Sequence, residues 1–381
     1  MSLRRKLFLL ISVVILCAGF LLSFPSHNKS AESAGLPVGK SSYGFVEQTG
    51  VTSDPIRIYA YRSAGWKPGK VIVVVFHGSN RNAKNYCSGW VGPAEDNNLL
   101  IICPEFTQAK YPGIRYYNTG NIMDRMSGNG ILQPQSRWVF PAIDRIINDI
   151  KTRTGAQESP VVVFGHSAGG QMVHRYAIFG GRTDACLIMP ANAGWYTMPD
   201  TKVSFPYGLG GVPVSREKLV SAFAKPVVVL LGEEDNKRNA KLRTTPKADR
   251  QGLNRLARGK NFFKTAKIKA AELGVPFNWK LVTVPKVGHQ GAKMANAAVK
   301  VINSMFKDKK TGPLSFYNGS MPCFLILLLV FGNSSVLWLR SVRLSLTSGR
   351  QLLQKDKRLQ FGCSCRRNGY ARPESALCPR R

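Results

Sequence analysis

The chain of 381 residues is 44% hydrophobic and carries 54 Lys or Arg against 21 Asp or Glu, a formal net charge of +33. The length allows one large α/β domain or two smaller ones, with enough apolar residues for a packed core. The charge would attract polyanions, but no DNA- or RNA-binding motif accompanies it, so we favour a surface property and expect no specific nucleic-acid partner. The eight cysteines form no Cys-x-x-Cys pair and no zinc-like spacing, so no metal or cofactor is expected.

Residues 1–34 have the pattern of an export signal. The basic residues Arg4, Arg5 and Lys6 precede an apolar run over residues 7–24. That run is slightly long for a cleaved signal and just long enough to span a bilayer. Residues 1–34 are therefore predicted to be a signal peptide or a membrane anchor, and the protein is expected to be periplasmic, secreted or membrane-anchored.

Two short strands are predicted near residues 43–47 and 56–61, followed by a buried strand over residues 70–76. The buried strand runs into His77-Gly78-Ser79. The loop after such a strand can supply a backbone N–H to an oxyanion hole, a site that binds a negatively charged oxygen. The Ser79 N–H is the expected donor.

A strand over residues 99–104 leads into a long segment, residues 105–135, which is rich in Gly, Asn and Tyr. Loops of this length in compact domains are usually functional or disordered. Its aromatic residues favour a wall that faces the substrate, with simple surface coverage as the alternative. An amphipathic helix is predicted over residues 138–150, with its apolar face in the core.

The residues around Ser167 predict a sharp turn between a strand and a helix. A β-branched run over residues 160–164 ends in Gly-His-Ser-Ala-Gly, which fits the Gly-x-Ser-x-Gly pattern. Gly165 and Gly169 lack Cβ atoms, so the strand and helix can approach closely. The helix that follows would direct its N-terminal dipole, and the Ala168 N–H, at an oxyanion formed beside Ser167.

Alternating strands and helices continue to about residue 306. Strands are predicted over residues 185–189, 226–231 and 280–284, with a basic helix over residues 250–272. Residues 195–215 are loop-like, and this is where such folds place a lid or pocket wall. The alternation predicts a mostly parallel sheet covered by helices on both faces, an α/β fold. Four polar residues fall just past strand ends, where such sheets bind ligands: His77, Ser167, Asp235 and His289.

A serine hydroxyl needs a base to take its proton, and the chain offers five histidines. Four occupy unsuitable places, namely the leader, the oxyanion segment, the position next to the serine and a site two helical turns below it: His27, His77, His166 and His174. His289 alone lies on a loop after the last strand. We therefore assign His289 as the base.

The imidazole also needs a carboxylate to fix its tautomer and stabilise its cation. Asp235 follows a strand in a Gly-x-x-Asp step and gives the order Ser, Asp, His along the chain. Glu233 and Glu234 are the rivals, since a shift of one or two residues could bring either inward. Asp235 is the predicted acid.

These motifs together resemble the α/β-hydrolase superfamily: Gly-His-Ser-Ala-Gly at 165–169, His77-Gly78, Gly232-x-x-Asp235 and Gly288-His289. Three segments are similar to the poly(3-hydroxybutyrate) depolymerase-like esterases, which include polyhydroxyalkanoate depolymerase and feruloyl-type enzymes: Phe-His-Gly-Ser-Asn-Arg-Asn-Ala at 76–83, Tyr-Asn-Thr-Gly-Asn at 117–121 and Ser-Ala-Gly-Gly at 167–170. The resemblance covers roughly residues 40–306.

The resemblance implies an exported serine hydrolase that cleaves small or oligomeric carboxylic esters through an acyl-enzyme. Candidate substrate-binding residues are His77, Asn118, Trp195 and Tyr196. A serine peptidase is one alternative, since the same triad cleaves amides. A non-catalytic binding protein with this fold, tethered to the membrane, is another.

The catalytic domain is predicted to span residues 35–310. Residues 311–381 form a basic, partly apolar tail with no helical or strand period, and this tail is predicted to be disordered. The alternative is a second membrane segment around residues 321–339 with a basic cytoplasmic end.

Overall fold

The computed structural model describes residues 35–126, 130–181 and 183–306, through which an eight-stranded sheet runs in the order β1-β2-β4-β3-β5-β6-β7-β8. The strands are β1 (Gly39–Phe45), β2 (Ile56–Arg62), β3 (Ile72–Phe76), β4 (Leu100–Glu105), β5 (Val161–His166), β6 (Ala185–Ala191), β7 (Val228–Gly232) and β8 (Lys280–Val284). β2 is antiparallel to both β1 and β4, and the remaining pairs are parallel. The predicted mostly parallel sheet is confirmed.

Helices cover both faces of the sheet. They are α1 (Ala83–Gly89), α2 (Val91–Glu95), α3 (Gly113–Tyr117), α4 (Phe140–Thr154), α5 (Ala168–Phe179), α6 (Arg216–Ala224), α7 (Pro246–Asp249), α8 (Arg255–Glu272) and α9 (Gly291–Phe306), with a 3₁₀ turn at Gln135–Arg137. Alternate residues of β3 face opposite ways. Val73 and Val75 join the core under α1 and α9, whereas Val74 and Phe76 join the core under α4, α5 and α8.

The segment over residues 105–135 differs from the loop that the sequence predicts. It contains α3, and its tyrosines Tyr111 and Tyr117 are fully buried in the core. The Tyr117 hydroxyl donates to the backbone oxygen of His77 at 2.7 Å, and the Tyr111 hydroxyl lies 3.1 Å from Oγ1 of Thr49. Because both hydroxyls find partners inside, the rings can be buried. These two aromatic residues therefore do not form a wall that faces the substrate.

The predicted leader, residues 1–34, and the predicted tail, residues 311–381, lie outside the described residues, and the domain boundaries stay predictions. Within the described ranges, no helix combines the length and apolar character needed to cross a membrane.

Candidate active site

Ser167 occupies a strained turn between β5 and α5. Its backbone has φ 59° and ψ −114°, a conformation that residues other than glycine rarely adopt. A Cβ on Gly165 would overlap the carbonyl oxygen of Gly169, and one on Gly169 would overlap the carbonyl oxygen of Phe76. The two glycines therefore let the helix start against the sheet, with Ser167 at the tip of the turn.

Three polar side chains from separate strand ends meet at this tip. Nε2 of His289 lies 3.0 Å from Oγ of Ser167, and Nδ1 of His289 lies 2.7 Å from Oδ2 of Asp235. An ionised carboxylate can only accept, so the Nδ1–H donates to Asp235 and Nε2 is free to accept the Ser167 hydroxyl proton. The structure thus brings the three predicted catalytic residues into one hydrogen-bonded chain.

Asp235 is held from a second side by Arg255, the first residue of α8. An Arg255 guanidinium nitrogen donates to Oδ1 of Asp235 at 3.3 Å, and both side chains are almost fully buried. One oxygen of the carboxylate therefore faces a fixed cation and the other faces the imidazole. A buried charge needs such a partner. Sequence reasoning did not find Arg255, because it described residues 250–272 only as a basic helix.

The rival carboxylates point elsewhere. Oε1 of Glu233 accepts a hydrogen bond from the Thr283 hydroxyl on β8 at 2.7 Å, whereas Glu234 is exposed. Of the three acids after β7, Asp235 is the one that contacts His289.

Asn192, in the turn after β6, joins the two loops that carry the acid and the base. Its Oδ1 accepts from the Gly232 N–H at 2.8 Å, and its Nδ2 donates to the carbonyl oxygen of Gly288 at 3.1 Å. The side chain is fully buried, and its bond to the Gly232 N–H is shielded from water. Asn192 thereby fixes the distance between the strand end before Asp235 and the residue before His289.

His166 packs against the candidate base. The centroids of the His166 and His289 rings lie 4.6 Å apart, and the Tyr86 hydroxyl is hydrogen-bonded to Nδ1 of His166 at 2.8 Å. Nε2 of His166 is buried and has no hydrogen-bond partner among the described residues. Burial, and then the nearby His289, lower the pKa of His166. The ring therefore stays neutral and does not repel a protonated His289.

A cavity of about 270 Å³ opens beside Ser167. Ser79 and Ala168, the predicted oxyanion donors, line it together with two of the predicted substrate-binding residues, Asn118 and Trp195. Gln171, which sequence reasoning missed, also lines it and accepts a hydrogen bond from the Asn118 amide at 3.1 Å. Within the described residues, no group of three or more His, Cys, Asp or Glu side chains could hold a metal ion.

The other two predicted substrate-binding residues do not reach this cavity. Nε2 of His77 accepts from the Phe106 N–H at 3.1 Å, and burial lowers the pKa of His77 to about 3. Tyr196 is fully buried, with its ring stacked on Phe262 at 4.5 Å between centroids. Both expectations are corrected: His77 holds β3 to the segment after β4, and Tyr196 packs in the core. Of the two adjacent aromatic residues, Trp195 is the one that lines the cavity.

Two solved structures are similar to this chain over most of their own length. One is the poly(3-hydroxybutyrate) depolymerase LpqC from Bordetella parapertussis, which is 31% identical in sequence. The match covers 72% of this chain and 93% of LpqC, with a TM-score of 0.65. Poly(aspartic acid) hydrolase-1 from Sphingomonas sp. KT-1 is 33% identical over 70% of this chain and 99% of its own, with a TM-score of 0.64. No protein-family model and no curated protein matches the sequence.

Proposed function

Since the chain belongs to the poly(3-hydroxybutyrate) depolymerase-like family of the α/β-hydrolase superfamily, and is thus a carboxylic ester hydrolase, we propose that Ser167, His289 and Asp235 perform its chemistry. The observation that carries this proposal is the hydrogen-bonded chain from Ser167 Oγ through His289 to Asp235 at the wall of the cavity. The substrate is a small or oligomeric carboxylic ester.

The reaction has two halves. Oγ of Ser167 attacks the ester carbonyl carbon while its proton passes to Nε2 of His289. Asp235 stabilises the resulting imidazolium, which then protonates the leaving alcohol as the C–O bond breaks. In the second half, water attacks the acyl-enzyme and loses a proton to Nε2 of His289. The imidazolium then returns this proton to Oγ of Ser167 as the bond between Oγ and the acyl carbon breaks, which releases the carboxylic acid and free Ser167.

The tetrahedral intermediate places negative charge on the former carbonyl oxygen. The Ala168 N–H stands at the first position of α5, where the helix dipole favours an anion. The Ser79 N–H belongs to the loop after β3. Gly78 lets this loop pass close to the Tyr86 side chain, since a Cβ on Gly78 would lie 2.7 Å from the Tyr86 hydroxyl. We assign these two backbone groups as the oxyanion donors.

Replacement of Ser79 by proline should lower kcat by about 100-fold, because loss of one oxyanion donor costs about 3 kcal/mol of transition-state stabilisation. Ser79→Ala is the matched control, and its turnover should stay close to that of the wild type, since it keeps the N–H. Steady-state kinetics on both variants, with circular dichroism to check folding, make the comparison. A folded Ser79→Pro enzyme with normal turnover would move the second donor to the Asn80 N–H.

The serine peptidase is the second candidate, because one relative is named for poly(aspartic acid), an amide-linked polymer. Short- and long-chain p-nitrophenyl esters, each paired with the p-nitroanilide of the same acid, separate the alternatives. We expect ester hydrolysis that far exceeds anilide hydrolysis. Faster anilide cleavage would make the protein a peptidase. No turnover of either series would leave a binding protein with this fold.

We also propose that the hydrolase is exported. The support is the basic start and apolar run within residues 1–34, which have the composition of a signal or an anchor. Cell fractionation tests export, and N-terminal sequencing of the mature protein separates cleavage from retention of the segment.

A further inference from the structure

The cavity beside Ser167 is lined by basic side chains and, among the described residues, by no acidic one. Its four cationic residues are Arg81, Lys241, Arg243 and Arg255. Within the ranges that the structure describes, Arg255 is the one of these four that has a carboxylate partner, Asp235. Among the described residues, no ion pair within 4.0 Å includes any of the other three. Among the described residues, three cations of the cavity wall therefore have no carboxylate in direct contact.

Arg81 is fixed in place by neutral groups. Its guanidinium donates to the backbone oxygens of Phe106, Tyr111 and Gly113 and lies 4.2 Å from the centroid of the Tyr117 ring. These contacts orient the cation without cancelling its charge.

Arg243 lies on the connection between β7 and α7, which also carries Asp235. Its Nε donates to the Tyr207 hydroxyl at 2.6 Å, and its guanidinium lies 5.6 Å from the centroid of the Trp195 ring. The side chain is half-buried, whereas the neighbouring Lys241 is exposed. One cation of this pair thus rests against an aromatic surface, and the other is exposed at the cavity wall.

A further cation lies behind the wall. Arg175 is fully buried and lies 4.2 Å from the centroid of Trp195. It donates to the backbone oxygens of Asn118 and Gln171 and to the Thr197 hydroxyl, all neutral acceptors. Asn118, Gln171 and Trp195 are themselves cavity residues. The positive charge of Arg175 therefore acts on the cavity through one layer of side chains.

Charges that are partly removed from water without a counter-charge are costly, and the low local dielectric strengthens their attraction for an anion. A wholly neutral ester that filled the cavity would remove water from Arg81 and Arg243 and return no negative charge. A substrate with an anionic group would supply that charge.

We propose that the natural substrate carries a free carboxylate besides the ester that Ser167 attacks, and that Arg81, Arg243 and Lys241 select it. This proposal rests on the proposed ester hydrolysis and names the substrate class for it. The carboxylate can stand on the acyl side, as in a half-ester of a dicarboxylic acid, or on the alcohol side, as in an esterified hydroxy acid. In both cases the bond cleaved is the ester.

Two pairs of esters matched in length test the proposal and separate the two sources of the carboxylate. Monomethyl adipate is compared with methyl hexanoate, and the acetate ester of ω-hydroxyhexanoate with hexyl acetate. At low ionic strength we expect kcat/KM for the charged member of at least one pair to exceed that of its neutral partner by about tenfold or more. The preference should shrink as NaCl rises from about 0.02 M to about 0.5 M, because salt screens the attraction.

Variants locate the effect. Arg243→Gln and Lys241→Gln should each lower the ratio of charged to neutral kcat/KM several-fold, up to about tenfold. Arg243→Lys should keep more of the preference than Arg243→Gln. Lys267→Gln is the charge-matched control, since Lys267 is exposed on α8 and does not line the cavity, and its ratio should not change.

Turnover of the neutral esters without preference for the charged ones would overturn this proposal and leave the esterase intact. So would a preference that Lys267→Gln lowers as much as Arg243→Gln does, because the whole-molecule charge would then be the cause. No turnover of any of the four esters would also overturn this proposal, and it would remove the proposed ester hydrolysis as well if the p-nitrophenyl esters were not cleaved either.

Discussion

Replacement of Ser167 by alanine is expected to lower kcat for ester hydrolysis by about 10⁶-fold, because the attacking oxygen is lost and the remaining triad has nothing to activate. The fold should survive. The close contacts that shape the turn belong to Gly165 and Gly169, and alanine accepts the same backbone as serine. Steady-state kinetics and the melting temperature of wild type and variant measure the two effects separately.

Ser88→Ala is a matched control for Ser167→Ala, since Ser88 is exposed on α1 and does not line the cavity. An organophosphate ester should add once to the wild type and to Ser88→Ala, and not to Ser167→Ala, as intact mass spectrometry would report. If Ser167→Ala keeps more than about a tenth of the wild-type rate, the nucleophile lies elsewhere.

Local patterns were enough to predict the elements that position this site. Strands such as Val161–His166 are continuous apolar runs, which predict burial on both faces of a parallel sheet. The turn at Ser167 could be predicted because its two glycines meet steric demands that arise within a few residues. Parallel strands end at one edge, so the motif residues after them were expected to gather there.

Side-chain direction was harder to predict, because it depends on partners distant in sequence. Trp195 and Tyr196 are adjacent aromatic residues of the same loop, yet one lines the cavity and the other stacks on Phe262 in α8. His77 follows a strand like the other site residues, but its ring turns inward to the Phe106 N–H. No period or motif in the sequence distinguishes these outcomes.

Buried cations were also missed. Sequence patterns place most Lys and Arg at the surface, whereas Arg175 and Arg255 are almost fully buried. Each depends on acceptors from other parts of the chain: Arg175 on the Asn118 carbonyl oxygen and the Thr197 hydroxyl, and Arg255 on Asp235. The formal charge of the chain gave no sign of which cations serve the site.

Replacement of Asp235 by asparagine is expected to lower kcat by about 10⁴-fold. The amide keeps the size of the carboxylate, but it cannot stabilise the imidazolium, and its NH₂ group can donate to Nδ1 of His289 and hold the wrong tautomer. Glu233→Gln and Glu234→Gln remove a neighbouring charge without touching His289, and we expect turnover within a few-fold of wild type for both. Kinetics on the three variants with one ester make the comparison.

The melting temperatures of the same three variants also distinguish Asp235 from Glu233 and Glu234. Asp235→Asn leaves the buried guanidinium of Arg255 without its carboxylate, so this variant should unfold at a lower temperature than either glutamine variant. A large fall in kcat with an unchanged melting temperature would mean that Arg255 is neutralised by another group. A larger loss of kcat in Glu234→Gln than in Asp235→Asn would place the acid one residue earlier, and would require the loop after β7 to turn Glu234, exposed in this structure, toward His289.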